Sequence, residues 1–307
     1  MPSIQRAVNY ALHNRNQFLD SLVKNLGFLF SDRIYLGLRY RFQMGRRLNL
    51  RSPVLFTEKL QWLKLYNRKD IYTTMVDKLL AKEYVSNIIG EEYIIPTLGY
   101  WDKAEDIDWD SLPNQFVLKT THAGGGNGVV ICTDYNNFDK KSAISRLSRS
   151  LNGSNYNTFR EWPYKNVRKR VIAEKFMKDL ASDSIDLTDY KFYCFNGQPK
   201  YCQVIRDRHI KESIDFYDTE WTLMPFVGLN PKCKNGDTPQ PKPINLDIML
   251  DICKKLSKDI PFVRVDLYEI NQHVYFGELT FFPASGFGRF TPSEWDKILG
   301  DLIVLPS

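Results

Sequence analysis

Asp266 and Glu278 sit in two runs rich in β-branched and aromatic residues, on either side of Asn271, Gln272 and His273. Such runs read as a β-hairpin. A three-residue loop would pair Ile270 with Val274 and set Asp266 directly across from Glu278, with Cβ atoms about 5 Å apart. Alternation then adds Arg264 and Thr280 to the same face and sends Val263, Val265, Leu267 and Leu279 to the other. A two-residue loop would put the carboxylates on opposite faces. Facing carboxylates repel unless a shared proton, a neighbouring arginine or a divalent cation offsets the charge. Mg²⁺ suits this chemistry, because one or two carboxylates commonly hold it while phosphate oxygens and water complete an octahedron. Without a metal the pair is expected to strain the fold, so removing either carboxylate should leave stability unchanged or higher. The same residues also suit an exposed hairpin face with a cross-strand Arg–Asp pair.

Phosphate chemistry is the second signal. From Gln115 to Cys132 a strand runs into a loop holding Gly124, Gly125, Gly126 and Gly128 and leaves as another strand. A P-loop or a dinucleotide fingerprint must open a helix, so neither applies. What remains is a β-loop-β flap whose N–H groups lie over phosphates while Lys119 supplies charge, or else a surface hairpin. Arg170 to Met177 reads as a buried strand that turns polar at Glu174 and Lys175. Asp189 and Lys191 share one strand face before Asn196-Gly197, the strongest two-residue turn signal in the chain. The alternative for that pair is a surface ion pair worth under about 1 kcal/mol. Lys78 and Lys82 fall one turn apart on a helix and are expected to be solvated. Arg206, Arg208 and Lys211 form a cationic patch that either lines an entrance for an anionic glycan or is simple surface. His13, His122, His209 and His273 are too scattered for a metal motif.

The elements that must position these residues follow from pattern and punctuation. The chain has 307 residues, 43% hydrophobic and 25% charged, with a net charge of +6, an ordinary composition for a soluble globular protein. The mild basic excess suits an anionic ligand or membrane surface, and no motif points to nucleic acid. Five cysteines without C-x-x-C spacing read as reduced core thiols of a cytoplasmic protein. No apolar run approaches the roughly 20 residues of a membrane span, and no signal-peptide core opens the chain. Residues 1–55 read as a basic helical extension. Its arginines, Arg39, Arg41, Arg46 and Arg47, either snorkel from a helix packed on the body or meet the inner face of the plasma membrane. Residues 56–113 form a helical and linker part: a helix with Phe56, Leu60, Leu63 and Tyr66 on one face, a second capped by Asp70 and ending at Gly90, and a strand at Tyr93–Ile95. Residues 114–180 carry the flap, and 181–307 carry the Asp266–Glu278 hairpin. Helices are expected near 137–151 and 245–257, with a last one capped by Thr291-Pro-Ser-Glu.

Taken in order, these motifs resemble the ATP-grasp carboxylate-amine ligases over roughly residues 70–290: a lysine on a helix, a lysine before a glycine-rich flap, a strand ending Glu-Lys-Phe-Met, then Arg-x-Asp and Glu-x-Thr across a hairpin. Phe56-Thr-Glu-Lys-Leu-Gln-Trp-Leu-Lys-Leu-Tyr, Asp189-Tyr-Lys-Phe and Gly277-Glu-Leu-Thr-Phe-Phe-Pro-Ala-Ser-Gly are similar to the TupA-like branch, which is associated with surface-polysaccharide and teichuronopeptide biosynthesis. The resemblance implies an α+β fold in which antiparallel sheets with flanking helices clamp ATP between two subdomains. It implies that Lys78 and Lys119 bind phosphates and that Gly124, Gly125, Gly126 and Gly128 form the flap. Glu174, Lys175 and Met177 would be the adenine hinge, with Asp189 on a ribose hydroxyl and Lys191 on a phosphate. Asp266, Glu278 and Thr280 would hold Mg²⁺, and Arg264 would steady an acyl phosphate. Thr280 stands where most such ligases have asparagine. The implied partners are a carboxylate on a glycan precursor and an amino acid or other amine. Two rivals are a glycosyltransferase of the same pathway, which needs a nucleotide-sugar site with its Asp-x-Asp pair, and a non-catalytic ATP- or glycan-binding module.

Overall fold

The structure, a computed structural model, describes residues 15–124, 126, 128–180, 187–206, 213–229 and 234–306. Gly125, Arg208, Lys211, His13, His209 and Cys233 lie outside the described residues.

Two helices open the described chain, α1 (Arg15–Asn25) and α2 (Asp32–Met44), which pack on each other as a hairpin. Helix α3 (Phe56–Tyr66) follows, and its N-terminus is closed from two directions. The Glu58 carboxylate accepts from the Val54 and Leu55 N–H groups at 3.1 and 3.3 Å, and Asp296 accepts from the Thr57 N–H at 2.9 Å. The fourth buried position of its stripe is Lys64 rather than Tyr66, which is half exposed.

The second expected helix breaks in two, α4 (Ile71–Val76) and α5 (Leu80–Ile89). Asp77 is the reason. Its backbone is extended (φ −70°, ψ 113°) and its carboxylate caps the new helix, accepting from the Leu79 and Leu80 N–H groups at 2.9 and 3.3 Å. Asp70 makes no such cap. Lys78 therefore lies in the break, with its N–H on the Thr121 carbonyl at 3.0 Å. The expected strand at Tyr93–Ile95 is displaced to β1 (Thr97–Trp101), beyond Pro96, because Glu91–Tyr93 closes into a single 3₁₀ turn.

β1 lies at one edge of a four-stranded antiparallel sheet ordered β1-β4-β2-β3, with β2 (Phe116–Thr120), β3 (Val129–Cys132) and β4 (Val171–Lys175). Helix α6 (Lys140–Leu151) covers it, and α7 (Asn155–Phe159) follows. The core here is Ala104, Ile107, Leu112, Phe116, Leu118, Cys132, Leu147, Val171 and Ala173. Residues 104–112 thus pack with this sheet, whereas α3, α4 and α5 pack with the larger one.

The larger sheet is antiparallel and ordered β10-β9-β5-β6-β7, comprising β5 (Asp189–Phe195), β6 (Gln198–Arg206), β7 (Ser213–Asp218), β9 (Phe262–Ile270) and β10 (His273–Thr280). Asn196 and Gly197 turn β5 into β6 with φ of 49° and 81°, the type I′ geometry their identities favour. Helix α8 (Leu246–Leu256) buries Leu246, Met249, Ile252, Cys253 and Leu256 against one face, with Val263, Val265 and Leu267 among its partners. Each such side chain contributes about 1.5–3 kcal/mol on burial. A short pair, β8 (Val227–Gly228) with β11 (Phe290–Thr291), and helix α9 (Trp295–Asp301) complete the fold. No Thr or Ser side chain caps α9; its Asp296 caps α3 instead. Cys132, Cys194, Cys202 and Cys253 are free and buried. No helix among the described residues is long and apolar enough to cross a membrane.

Candidate active site

The β9–β10 hairpin reverses through two residues, Asn271 and Gln272, both at positive φ (52° and 61°), so His273 pairs with Ile270. The three-residue loop expected from the sequence is not formed. Contacts from outside hold this turn: the Leu180 N–H donates to Asn271 Oδ1 at 2.9 Å, Asn271 Nδ2 donates to the Lys178 carbonyl at 3.2 Å, the Asn271 N–H donates to Asp179 Oδ1 at 3.3 Å, and Asn245 Nδ2 donates to the Gln272 carbonyl at 2.8 Å. With this turn alone, Asp266 and Glu278 would point away from each other. A β-bulge at Gly277 adds one residue to β10, and beyond it Glu278 pairs with Asp266 and Thr280 with Arg264. Glycine is required there, since a Cβ would stand 2.9 Å from the Asp266 carbonyl oxygen and 3.0 Å from the Tyr268 ring.

The face so assembled is apolar at one end and charged at the other. Phe262, Phe195 and Tyr193 lie beneath Phe56 of α3. Toward the other end Arg264 grips Asp266 with two bonds, 2.6 and 2.7 Å, and reaches Glu278 at 3.4 Å and the Thr280 hydroxyl at 3.0 Å. Lys191 on β5, directly across from Asp266, donates to it at 2.5 Å and lies 3.6 Å from Asp189. Lys78 completes the set on Glu278 at 3.3 Å. The expectation that these carboxylates stand unneutralised fails, for both carry cations. Burial would raise the Glu278 pKa, but Lys78, Lys191 and Arg264 hold it well below the carboxylate range. Burial works against the Arg264 charge, and Asp266 overrides it and raises the pKa. Thr280 Oγ1 donates to Glu278 at 3.1 Å, so its hydroxyl is already engaged.

Opposite this wall the smaller sheet presents Lys119 and Glu174. The Glu174 carboxylate is clamped between Lys119 and Lys82, at 2.6 Å each. Burial would raise its pKa, but Lys119 and Lys82 pull it down to about 2. Burial opposes the Lys119 charge, yet Glu174, with Glu278 and Asp189 beyond it, raises that pKa. Lys78 links the two walls, its side chain on Glu278 of the larger sheet and its N–H on the Thr121 carbonyl that follows β2 of the smaller one. Lys82 is not solvated, as the sequence suggested; it also donates to the Ile95 carbonyl at 2.5 Å, and desolvation lowers its pKa despite Glu174. Its signal in the sequence is only its spacing from Lys78.

The glycine-rich segment joins β2 to β3 as a hairpin, with Lys119 paired to Val129. Gly126 and Gly128 have φ of 77° and 73°. At Gly128 a Cβ would collide with the Ser150 and Thr120 hydroxyls, while Gly124 lies open, 3.9 Å from Asn155. At the end of β4 Lys175 is exposed, and Met177 beyond it is half-buried. Arg206 does not face an entrance; it is bound to Asp215 at 2.8 Å and to the Thr238 carbonyl at 2.7 Å.

Sequence reasoning missed a polar group beneath the charged wall. Lys64, fully buried, donates to the Phe159 and Ser285 carbonyls at 3.0 and 2.8 Å, and desolvation pushes its pKa down to about 7. Ser285 donates to Glu161 at 2.5 Å, and Gln61 donates to the Ser285 and Gly286 carbonyls. These bonds hold Ala284, Ser285 and Gly286, which are all at positive φ, in the loop that follows Thr280. The available signal was a lysine four residues after Leu60 on the apolar stripe of α3.

The donor set suits Mg²⁺ as a shared ligand rather than as a lone one. Asp266 and Glu278 are two oxygen donors in register, and among the described residues no group of three or more His, Cys, Asp or Glu could hold a metal. An ion held there would need phosphate oxygens and water for its remaining positions. The Asp-x-Asp spacing that a glycosyltransferase would need is present in Asp106-Ile-Asp108-Trp-Asp110, but these carboxylates are exposed in the turns between β1 and β2 and touch none of the residues of the cleft.

A family model described as TupA-like ATPgrasp matches residues 58–304. No curated protein compared with the sequence matches it. Among solved structures, the D-alanine–D-alanine ligase from Bacillus anthracis is 17% identical with a TM-score of 0.43, over 75% of this chain and 65% of that one. The same enzyme complexed with ATP gives 19%, 0.43, 75% and 63%. The ATP-grasp ligase PsnB complexed with minimal precursor, Mg and ADP gives 12%, 0.37, 81% and 62%. The chain spans less than two thirds of each of these proteins, and likenesses of this size say nothing about activity.

Proposed function

The chain belongs to the TupA-like ATP-grasp family, and from that premise we propose that it is an ATP- and Mg²⁺-dependent ligase that joins a carboxylate to an amine. One observation carries the reading: Lys119 and Glu174 of the smaller sheet, with Lys82 of α5 clamped on Glu174, lie with Lys191, Arg264, Asp266 and Glu278 of the larger sheet, and Lys78 joins the two sets. Five cations with Lys78, against Glu174, Asp189, Asp266 and Glu278, make a cleft in which a polyphosphate can exchange with carboxylates already held by lysines.

In this reading Lys78, Lys82 and Lys119 bind phosphates under the flap of Gly124–Gly128. Lys175 and Met177 line the adenine side, and Glu174 orients the two lysines that clamp it. Asp189 accepts from a ribose hydroxyl, and Lys191 moves between Asp266 and phosphate. Asp266 and Glu278 would hold Mg²⁺, with Thr280 steadying Glu278; the metal supplies charge neutralisation at the transferring phosphoryl group. A substrate carboxylate oxygen attacks the γ-phosphorus and ADP leaves. The amine nitrogen then attacks the acyl carbon, giving up a proton as phosphate departs. Arg264 stands where charge develops on that phosphate, and preorganised donors act most strongly there. The family favours a carboxylate on a surface-polysaccharide precursor as acceptor and an amino acid as amine, with the reaction in the cytoplasm, where ATP is available.

ADP release with candidate uronic acids and amino acids, tested in parent, Lys119→Ala and Glu278→Gln, decides the matter. Lys119→Ala loses a charged hydrogen bond worth about 1.5–3 kcal/mol, a tenfold or greater loss of ATP affinity, and Glu278→Gln lowers turnover on the order of a hundredfold. Parental ATP affinity and turnover in both variants would overturn the reading.

A further inference from the structure

The turn between α1 and α2 is built to be held still and to show apolar side chains to the outside. Gly27 is buried: its carbonyl accepts from Arg160 Nη2 at 2.6 Å, and a Cβ on it would stand 2.8 Å from the Tyr35 ring. Arg160 is itself buried, lies 4.3 Å over the Tyr35 ring and pairs with Asp32. The two residues that follow Gly27 are nevertheless turned to solvent, Phe28 at 80% and Leu29 at 63% exposure, with Leu22 and Ile34 exposed on the flanking helix ends. A body that fixes a turn through a buried arginine and leaves two large apolar side chains outside it presents a surface rather than a loose end.

The charge around this tip has one sign. Lys24 and Arg33 flank it, and Arg15, Arg41 and Arg47 lie exposed along the same two helices and the segment after them; none has an ion-pair partner among the described residues. Both acids of the described stretch 15–51 are engaged, Asp20 by Arg39 and Gln43, and Asp32 by Arg68 and Arg160. Apolar side chains flanked by free cations complement an anionic lipid bilayer, in which the apolar groups enter the acyl boundary and the cations meet headgroups.

We propose that the α1–α2 tip docks the protein on an anionic membrane surface through Phe28 and Leu29, with Lys24 and Arg33 at the headgroups. The docked tip is mechanically close to the cleft, because Arg160, which holds the tip, is followed by Glu161, which holds the Ser285 loop. The proposal does not rest on the identity of the ligase substrates.

The test is sedimentation of the full chain with vesicles of phosphatidylcholine alone and with about 30% phosphatidylglycerol, for parent, a Phe28→Ser/Leu29→Ser double variant and a Lys24→Glu/Arg33→Glu double variant. The parent should bind the anionic vesicles, and should do so more weakly as salt rises. The Ser variant should lose at least tenfold in partitioning, and the Glu variant more than the roughly fivefold expected per basic charge. Melting temperature and MgATP affinity should stay parental in both, since none of these residues touches the cleft. Failure of the parent to bind anionic vesicles overturns the proposal. So does binding that neither variant weakens, which would assign it to another surface. A dimer abolished by the Ser variant, without vesicle binding, would assign the tip to a second copy and likewise overturn it.

Discussion

Glu174 shows how much one side chain contributes when two lysines share it. Its folded pKa, about 2, lies below its ordinary value of 4.5, so its contribution is complete above pH 4.5 and is lost as pH falls toward 2. The shift corresponds to about 3 kcal/mol at neutral pH. Glu174→Gln should therefore be less stable than parent by that order at pH 7, and the gap should close on acid titration through this window. Superimposable acid denaturation curves that keep the same offset would remove the assignment. Asp266 behaves differently from what repelling carboxylates implied. It is buried with Arg264 and Lys191 on it, and its loss leaves two cations uncompensated, a change that typically costs about 3–5 kcal/mol.

At the scale of the element, Gly277 decides whether β10 can serve the cleft. Gly277→Ala pushes a Cβ toward the Asp266 carbonyl, which is backbone in the middle of a ladder and cannot give way cheaply. A stability loss of about 1–3 kcal/mol in chemical denaturation is expected. Inserting one residue after Gly277 instead moves Glu278 opposite Val265 and rotates Glu278 and Thr280 to the α8 side. ADP release should then vanish even where the protein folds, and parental turnover in the insertion variant would show that this register is not needed.

Across the whole molecule, the cleft exists only because two sheets with separate cores are brought together. The segment after β4 binds the turn of β9–β10 through Lys178 and Leu180, while Lys78 is fixed by the loop after β2. A nucleotide spanning the cleft adds contacts to both sheets. Since the oxygens of Asp266 already carry cations and no three-ligand cluster stands among the described residues, Mg²⁺ alone should leave the melting temperature unchanged. MgATP at a hundredfold excess over its Kd should raise it by about 5 °C. A rise with Mg²⁺ alone, in a thermal scan without nucleotide, would mean a preformed metal site and contradict this.

The order of motifs and the residue types were legible in the chain itself. Alternation around Arg264, Asp266, Glu278 and Thr280, the glycine-rich link between two strands, and the Asn196-Gly197 turn are local patterns, and local stereochemistry is what fixes them. Whether Asp266 met Glu278 was not local. The turn is shorter than the pattern suggested because Lys178, Leu180 and Asn245 hold it from outside, and the bulge that corrects the register answers to packing at Gly277. Lys82 looked like a solvated lysine, and Lys64 did not stand out at all, because sequence carries no information on which side of a helix will be roofed by another sheet. Asp77 broke a helix that propensity would continue, since its carboxylate could cap Leu79 and Leu80 while Thr121 bound Lys78. Side-chain period comes from the backbone of each segment, but the pairing of charges across a cleft depends on which buried groups would otherwise lack a partner, and only the assembled chain determines that.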